Sequence, residues 1–149
     1  MNQTHKFKLY LIGSLRNPKI PEVHKLIETM NPNIEVFSGW FSAGPDADDK
    51  WRDYEKSLGY SFTEALKRPS AVNVFEFDKR HLLASDGALL VAPAGKSGHL
   101  ELGWVARSGQ WTGILLDNPD RWDVMMSFID VVSDDLKTIV ESIECRRVK

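Results

Sequence analysis

Residues 87–94, GALLVAPA, carry no polar side chain. A strand with one face in water alternates apolar and polar residues, so a strand without alternation is covered on both faces. An inner strand of a parallel sheet, with helices above and below it, meets that condition. Residues 7–15, FKLYLIGSL, repeat the pattern with Lys8 as the one charged residue before Arg16, and end in a Gly-Ser turn.

Between and beyond these runs the periodicity changes. Residues 21–30 predict a helix with Pro21 at its first position and apolar residues at Val23, Leu26, Ile27 and Met30. Residues 34–40, IEVFSGW, read as a second strand and 42–49 as a loop. Residues 51–66 have mixed helical character, bent or broken near Gly59. A further helix starts at Pro69 and Ser70 and runs to about Ala84. After the third strand come a helix at 98–108, a fourth strand at 112–117, and helical stretches at 123–130 and 133–143. Strands alternating with helices predict an α/β fold. It is a three-layer sandwich with a mostly parallel, flavodoxin-like sheet of four to five strands. A chain of 149 residues suits a single domain, 1–149, with a real core.

The net charge of −2 is spread along the chain with no basic block, so neither nucleic acid nor an anionic membrane is an expected partner. No apolar run approaches the ~20 residues that span a bilayer. The single cysteine, Cys145, rules out an internal disulfide and fits a reducing compartment. The opening stretch MNQTHKFKLYLIGS lacks a signal-peptide core, so a cytoplasmic location is expected. There is no Cys/His cluster of zinc spacing, and no metal or cofactor is expected.

Folds of this class bind ligands beyond the carboxyl ends of their strands. The loops at 13–18, 40–46 and 93–99 should meet there. Residues 94–104, AGKSGHLELGW, place one acid, Glu101, among apolar neighbours at that edge. Its spacing from Ser97 does not make a capping box. As a first-turn acid it would be partly desolvated and held ionised by backbone N–H groups, with Gly103 and Ala106 letting the helix lie close to the sheet. Such a carboxylate suits a nucleophile or a stabiliser of developing positive charge. Asp78 lies beside an apolar stripe formed by Val74, Phe75, His81 and Leu82. Burial there would raise its pKa and make it a general acid, or leave it a buried Asp bonded to a loop N–H. Asp86 reads as a turn or cap residue.

GSLRN supplies Gly13 for close approach, Ser14 as a hydroxyl and Arg16 as a bidentate fork. The turn formed by Gly95, Lys96, Ser97 and Gly98 is a second small-residue anion site at a helix start. Neither loop has Walker A spacing, and no G-x-G-x-x-G fingerprint is present. Trp40 or Phe41 can stack on a planar base, although packing explains most of the tryptophans. His99 is either a site donor or a helix-start residue.

Taken in order, YLIGSLRN, an Asp on a helix, SD before an apolar strand, a Gly-rich turn and ELGWVARSGQ resemble the nucleoside 2-deoxyribosyltransferase superfamily. That superfamily includes the 2'-deoxynucleoside 5'-monophosphate N-glycosidases. The resemblance covers the first strand and residues 78–116, and does not extend to 42–69. It implies that Glu101 is the nucleophile at the anomeric carbon, that Asp78 assists departure of the base, and that Tyr10 orients the nucleophile. In the nucleotide-hydrolysing branch it implies that Ser14, Arg16 and Ser97 hold a 5'-phosphate. Transferases usually carry another acid six residues before the Glu, where this chain has Gly95. Lys96 and Arg16 favour a phosphorylated substrate.

The expectation is therefore cleavage or exchange of the N-glycosidic bond of a deoxynucleotide or deoxynucleoside, with a small-molecule partner and no cofactor. The transferase proper, a nucleotide-sensing module without turnover and a TIR-like NAD glycohydrolase are the alternatives. A homodimer or higher homo-oligomer is expected, partly from the resemblance and partly from five tryptophans in so short a chain.

Overall fold

The computed structural model describes residues 5–118 and 122–149. The first four residues of the N-terminal stretch read above lie outside them. Five strands, β1 (Phe7–Ile12), β2 (Ile34–Phe37), β3 (Gly87–Val91), β4 (Trp111–Leu115) and β5 (Val131–Ser133), form one sheet. Its order is β2-β1-β3-β4-β5 and every neighbouring pair is parallel. This is the doubly wound order of flavodoxin-like folds. The helices are α1 (Lys19–Met30), α2 (Ala47–Ser57), α3 (Phe62–Ala65), α4 (Pro69–Ala84), α5 (Lys96–Arg107) and α6 (Leu136–Arg147).

The two apolar runs that predicted inner strands are β1 and β3, and all five residues of β3 are buried. Their side chains feed two cores. Leu9, Leu11, Leu89 and Val91 meet Ile20, Val23 and Ile27 of α1 and Ile139 and Ile143 of α6. Tyr10, Ile12, Ala88 and Leu90 meet Leu82 of α4 and Leu102 and Val105 of α5. Alternation within each strand thus assigns Tyr10 to the α4–α5 face.

The boundaries differ from the sequence reading in several places. Helix α1 starts at Lys19, so Pro21 is its third residue and not its first. Strand β2 stops at Phe37, and Trp40 lies in a 3-10 turn, Gly39–Ala43. Helix α2 begins inside the stretch read as a loop. The break near Gly59 is real: that residue has φ 87°, a conformation that favours glycine. The stretch at 123–130 forms only a 3-10 turn, Val124–Phe128, and the short β5 follows it. Three residues are too few for period 2 to stand out, which is why β5 escapes a reading by pattern.

The segment between β2 and α4 is tied down by one buried acid. Glu55 of α2 is 2% exposed. It accepts hydrogen bonds from Arg68 Nε at 2.6 Å and from Ser70 Oγ at 3.0 Å. The Arg68 guanidinium also covers the Tyr60 ring at 3.9 Å. This clamp sets where α4 starts, and α4 carries Asp78.

Gly87 begins β3 under a tight constraint from neighbouring backbone. A Cβ there would stand 2.6 Å from the Trp111 carbonyl oxygen and 2.9 Å from the Phe7 ring. Backbone cannot swing away as a side chain can. Gly87→Ala should therefore cost about 1–3 kcal/mol, the usual range for overpacking. Urea denaturation checks this, and an unchanged midpoint would contradict the packing at the lower end of β3.

Candidate active site

Because all five strands run the same way, their carboxyl ends share one edge. Tyr10, Asp78 and Glu101 come together near it on the α4–α5 face. Tyr10 is buried in β1, in register with Ala88 and Phe37. Glu101 reaches that face because α5 presses onto the sheet at Gly98. A Cβ at Gly98 would sit 3.2 Å from both Ile12 and Ala94. Gly98, Glu101, Leu102 and Val105 share one side of the helix. Gly103, expected to make this approach, instead faces open space.

Helix α5 starts at Lys96, with Gly95 as its cap residue. Glu101 therefore lies in the second turn and not the first. The free N–H groups of a helix end lie in its first turn, where the dipole effect is also concentrated. The expectation that backbone N–H groups hold Glu101 ionised is thus overturned. Burial pushes its pKa up from 4.5 to about 7, and the Asp78 charge adds to the rise. Asp78 is itself raised by burial, while His81 draws it down. The Tyr10 phenol is raised by burial, then by the charges of Glu101 and Asp78, and stays neutral across the physiological range. Among the described residues, neither carboxylate accepts a hydrogen bond or joins an ion pair.

Asp78 stands four residues before the buried Leu82, on the sheet-facing side of α4. The upper part of the expected apolar stripe does not pack against the sheet: Val74 and Phe75 are 62% and 61% exposed. Length explains it. Sixteen helical residues span ~24 Å, whereas five strand residues span ~17 Å, so α4 overhangs the strand ends. Asp78 lies at the root of that overhang.

An aromatic wall that the sequence did not single out stands behind the carboxylates. Phe37 of β2 lies 5.3 Å from the Tyr10 ring and stacks on His81 at 4.0 Å and 9°. Phe77 tilts against His81 at 4.6 Å. The available signal was the i, i+3 spacing of Asp78 and His81.

The remaining expected residues scatter more. Gly13 does allow close approach, but to helix α1: a Cβ would meet Ile20 Cδ1 at 2.6 Å. Ser14 Oγ accepts from Arg16 N at 3.1 Å and shapes the loop. Arg16 is turned to the start of α2, bonding Asp49 Oδ2 at 3.1 Å and the Pro45 carbonyl at 3.4 Å. Trp40 donates its indole N–H to the Leu11 carbonyl at 2.7 Å, and its ring packs at the junction of both cores. Lys96, Ser97 and His99 are exposed, and Ser97 makes no cap. His99 Nδ1 lies 2.8 Å from the Gly95 carbonyl, so it donates to its own helix start. Asp86 closes the lower end of the sheet by accepting from Lys8 N at 2.8 Å, the turn role expected of it.

Two surface clefts lie apart from the carboxylates. One of about 340 Å³, between His5, Asp86, Gln110 and Arg146, opens at the opposite edge of the sheet. Its polar groups are engaged within the fold: Gln110, for one, bonds the carbonyls of Leu82 and Ser85. The other, about 360 Å³, is an apolar groove between Leu116, Trp122, Met126 and Ile129. Among the described residues, no helix is long and apolar enough to cross a membrane.

No family model matches the chain, and no curated protein matches it. Its structure is similar to the crystal structure of a conserved protein from Enterococcus faecalis V583, with a TM-score of 0.64. The two share 13% identity over 95% of this chain and 99% of that one. At that identity the likeness speaks for the fold alone.

The raised Glu101 carboxyl has a consequence for stability that is independent of any reaction. Below pH 4.5 the group is protonated in folded and unfolded chains alike. Between 4.5 and about 7 the unfolded chain gives up the proton while the folded chain keeps it, so stability falls as pH rises. Above that range the loss is complete and amounts to at most about 3 kcal/mol. Glu101→Gln should match the wild type near pH 4.5 and exceed it at pH 8. Urea melts at both pH values test this, and equal stability at pH 8 would refute the burial of a charge at this position.

Proposed function

We propose that this chain cleaves or exchanges the N-glycosidic bond of a deoxynucleotide or deoxynucleoside through a covalent glycosyl-Glu101 intermediate, hydrolysis of a deoxynucleoside monophosphate being favoured. One observation carries the reading: two carboxylates with raised pKa values and a neutral phenol converge at the carboxyl edge of a parallel sheet. That arrangement suits a substitution at a sugar carbon. The Glu101 carboxylate attacks the anomeric carbon as the bond to the base breaks, through an oxocarbenium-like transition state. Asp78 gives its proton to the departing base nitrogen. Water, or a second base, then attacks the same carbon, gives its proton to the Asp78 carboxylate and frees Glu101. Tyr10, neutral and confined beside Phe37, serves to orient the nucleophile.

The chemistry requires Glu101 ionised and Asp78 protonated, which is one proton shared by the pair. A shared proton gives a bell-shaped dependence of kcat/KM on pH. Activity rises as the first proton leaves the pair and falls as pH climbs through about 7, where the second goes. Asp78→Asn should abolish the alkaline limb. The acid limb that remains, now due to Glu101 alone, should lie below 7, because the Asp78 charge is gone. Glu101→Gln should reduce base release from a deoxynucleoside monophosphate by orders of magnitude. Chromatography of released base checks both, with deoxynucleosides and NAD as parallel substrates. Normal release by Glu101→Gln would end this reading, and release from NAD alone would favour a TIR-like glycohydrolase.

The local geometry supports the phosphate contact less directly. Arg16 is 66% exposed and its fork meets Asp49, so a 5'-phosphate would have to compete for it. That engagement favours a second reading, a nucleoside 2-deoxyribosyltransferase that uses no phosphate. The two readings part on one variant. Arg16→Ala should weaken use of the monophosphate by roughly 1.5–3 kcal/mol and leave nucleoside use alone if hydrolysis of nucleotides is correct. Equal effects on both, or a wild-type preference for nucleosides, select the transferase. The exposed apolar half of α4 and the exposed Leu100 and Trp104 of α5 suit contact with a second copy, in keeping with a homo-oligomer.

A further inference from the structure

A cluster of chemistry-bearing side chains outside the carboxylate site lies on the other face of the sheet, where α1 meets the end of β2. Alternation turns Val36 toward α1 and Phe37 toward α4. Ser38 follows and turns back to α1: its Oγ lies 2.7 Å from His24 Nδ1. His24 Nε2, on the far side of the ring, lies 3.3 Å from Glu28 Oε1, one helical turn on. Glu28 is held in turn, because its Oε2 accepts from Val36 N at 3.0 Å. Strand β2 ends the sheet, so its outer edge is free to make such a bond.

These contacts set the direction of the hydrogen bonds. A carboxylate only accepts, so Glu28 keeps the proton of a neutral imidazole on Nε2. Nδ1 is then a bare acceptor, and the Ser38 hydroxyl donates to it. A serine donating to a histidine whose other nitrogen faces an acid is the arrangement that activates a weak nucleophile. The His24 and Glu28 side chains are 30% and 41% exposed, and Gly39 beside Ser38 is exposed. A small molecule can therefore reach the hydroxyl from solvent.

We propose that Ser38, His24 and Glu28 form a second active site, which transfers short acyl groups from esters to water. Ser38 Oγ bonds to the ester carbonyl carbon while its proton passes to His24 Nδ1. The tetrahedral adduct collapses, the bond to the leaving oxygen breaks, and His24 gives that oxygen the proton. Water then attacks the carbonyl of acyl-Ser38, its proton passing to His24. The carboxylic acid leaves, and Ser38 recovers its proton from His24. Glu28 holds the imidazole in place and faces the positive charge that it gains at each transfer. The open sheet edge offers little surface to a long chain, so the substrates are esters of short acids with good leaving groups. Nothing in this site depends on the N-glycosidic reading.

A fluorophosphonate probe tests this on the whole chain. Ser38 Oγ displaces fluoride from phosphorus and its proton goes to His24, leaving a stable adduct that intact mass and peptide mapping locate. A single label on Ser38 is expected, together with hydrolysis of p-nitrophenyl acetate. Ser38→Ala should abolish the label and most of the hydrolysis. His24→Ala should slow labelling roughly a hundredfold or more, the usual effect of losing a positioned base. Glu28→Gln, which keeps an oxygen for Val36 N, should slow it less. A purely structural tie between α1 and β2 predicts no label on Ser38 in the wild type. Absence of that label, or equal labelling rates in the wild type and in a His24→Ala variant with native circular dichroism, would overturn the assignment. Base release from nucleotides is followed in parallel: its absence retires the glycosidase reading and leaves a labelled Ser38 standing.

Discussion

The parallel direction of all five strands governs everything else in this molecule. Each strand must return to the same starting edge, so each connection crosses the sheet and leaves its exit loop at one common end. That geometry collects residues distant in sequence without any local motif to hold them. Tyr10 arrives on the first strand, Phe37 at the end of the second, Asp78 and His81 on the helix leading into the third, and Glu101 on the helix leaving it. The same coverage by helices keeps water from the centre of the sheet, which is why carboxylates at its rim feel burial at all. A sheet with one wet face would offer the same residues in a solvent too polar to shift their proton affinities.

Placing two acids in that rim works against the fold. Glu101 faces the sheet beside Gly98, Leu102 and Val105, a position where a leucine would serve packing better. Neither acid has a hydrogen-bonding partner among the described residues, and their charges oppose one another. Isolated charges of this kind are avoided in interiors unless a function needs them. The rest of the domain supplies the surplus: two apolar cores and an acid in α2 that is fully paired. Glu55 makes the contrast plain. It is more deeply buried than Glu101, yet it meets a guanidinium and a hydroxyl, as a structural acid should. The two environments separate a carboxylate that builds the fold from one without a partner among the described residues.

Much of this is legible in the chain alone, for identifiable reasons. Unbroken apolar runs mark β1 and β3, because full burial leaves no room for alternation. The long helix α4 is bounded by Pro69 at one end and the Ser85-Asp86 turn at the other. Asp78 and Glu101 stand out as acids among apolar neighbours. What escapes a reading of the sequence depends on contacts that cross the fold. The start of α5 at Lys96, in place of Gly98, moves Glu101 into the second turn, beyond the free N–H groups, and burial then raises its pKa. Arg16 looks free because nothing in residues 13–17 announces Asp49 as its partner. Phe37 and His81 look like ordinary apolar-face residues, since their stacking joins β2 to α4 across some forty residues of chain. Gly98, read as part of an anion-binding turn, is where α5 meets the sheet, while Gly103, roughly 140° further round the helix, faces open space.

The position of α4 connects the fold to the site. A helix no longer than its strands would have buried its whole apolar stripe and left Asp78 in the core. A helix clamped less firmly at its start would let the stripe slide, and the i, i+3 pair of Asp78 and His81 would lose its place against Phe37. The Glu55, Arg68 and Ser70 contacts hold that start where residues 47–68 deliver it. The segment with no recognisable pattern therefore has a physical role. It sets the height of α4 above the sheet, and that height puts one carboxyl at the boundary between dry interior and open edge. Burial at that boundary raises the proton affinity of the Asp78 carboxyl without closing it into the core.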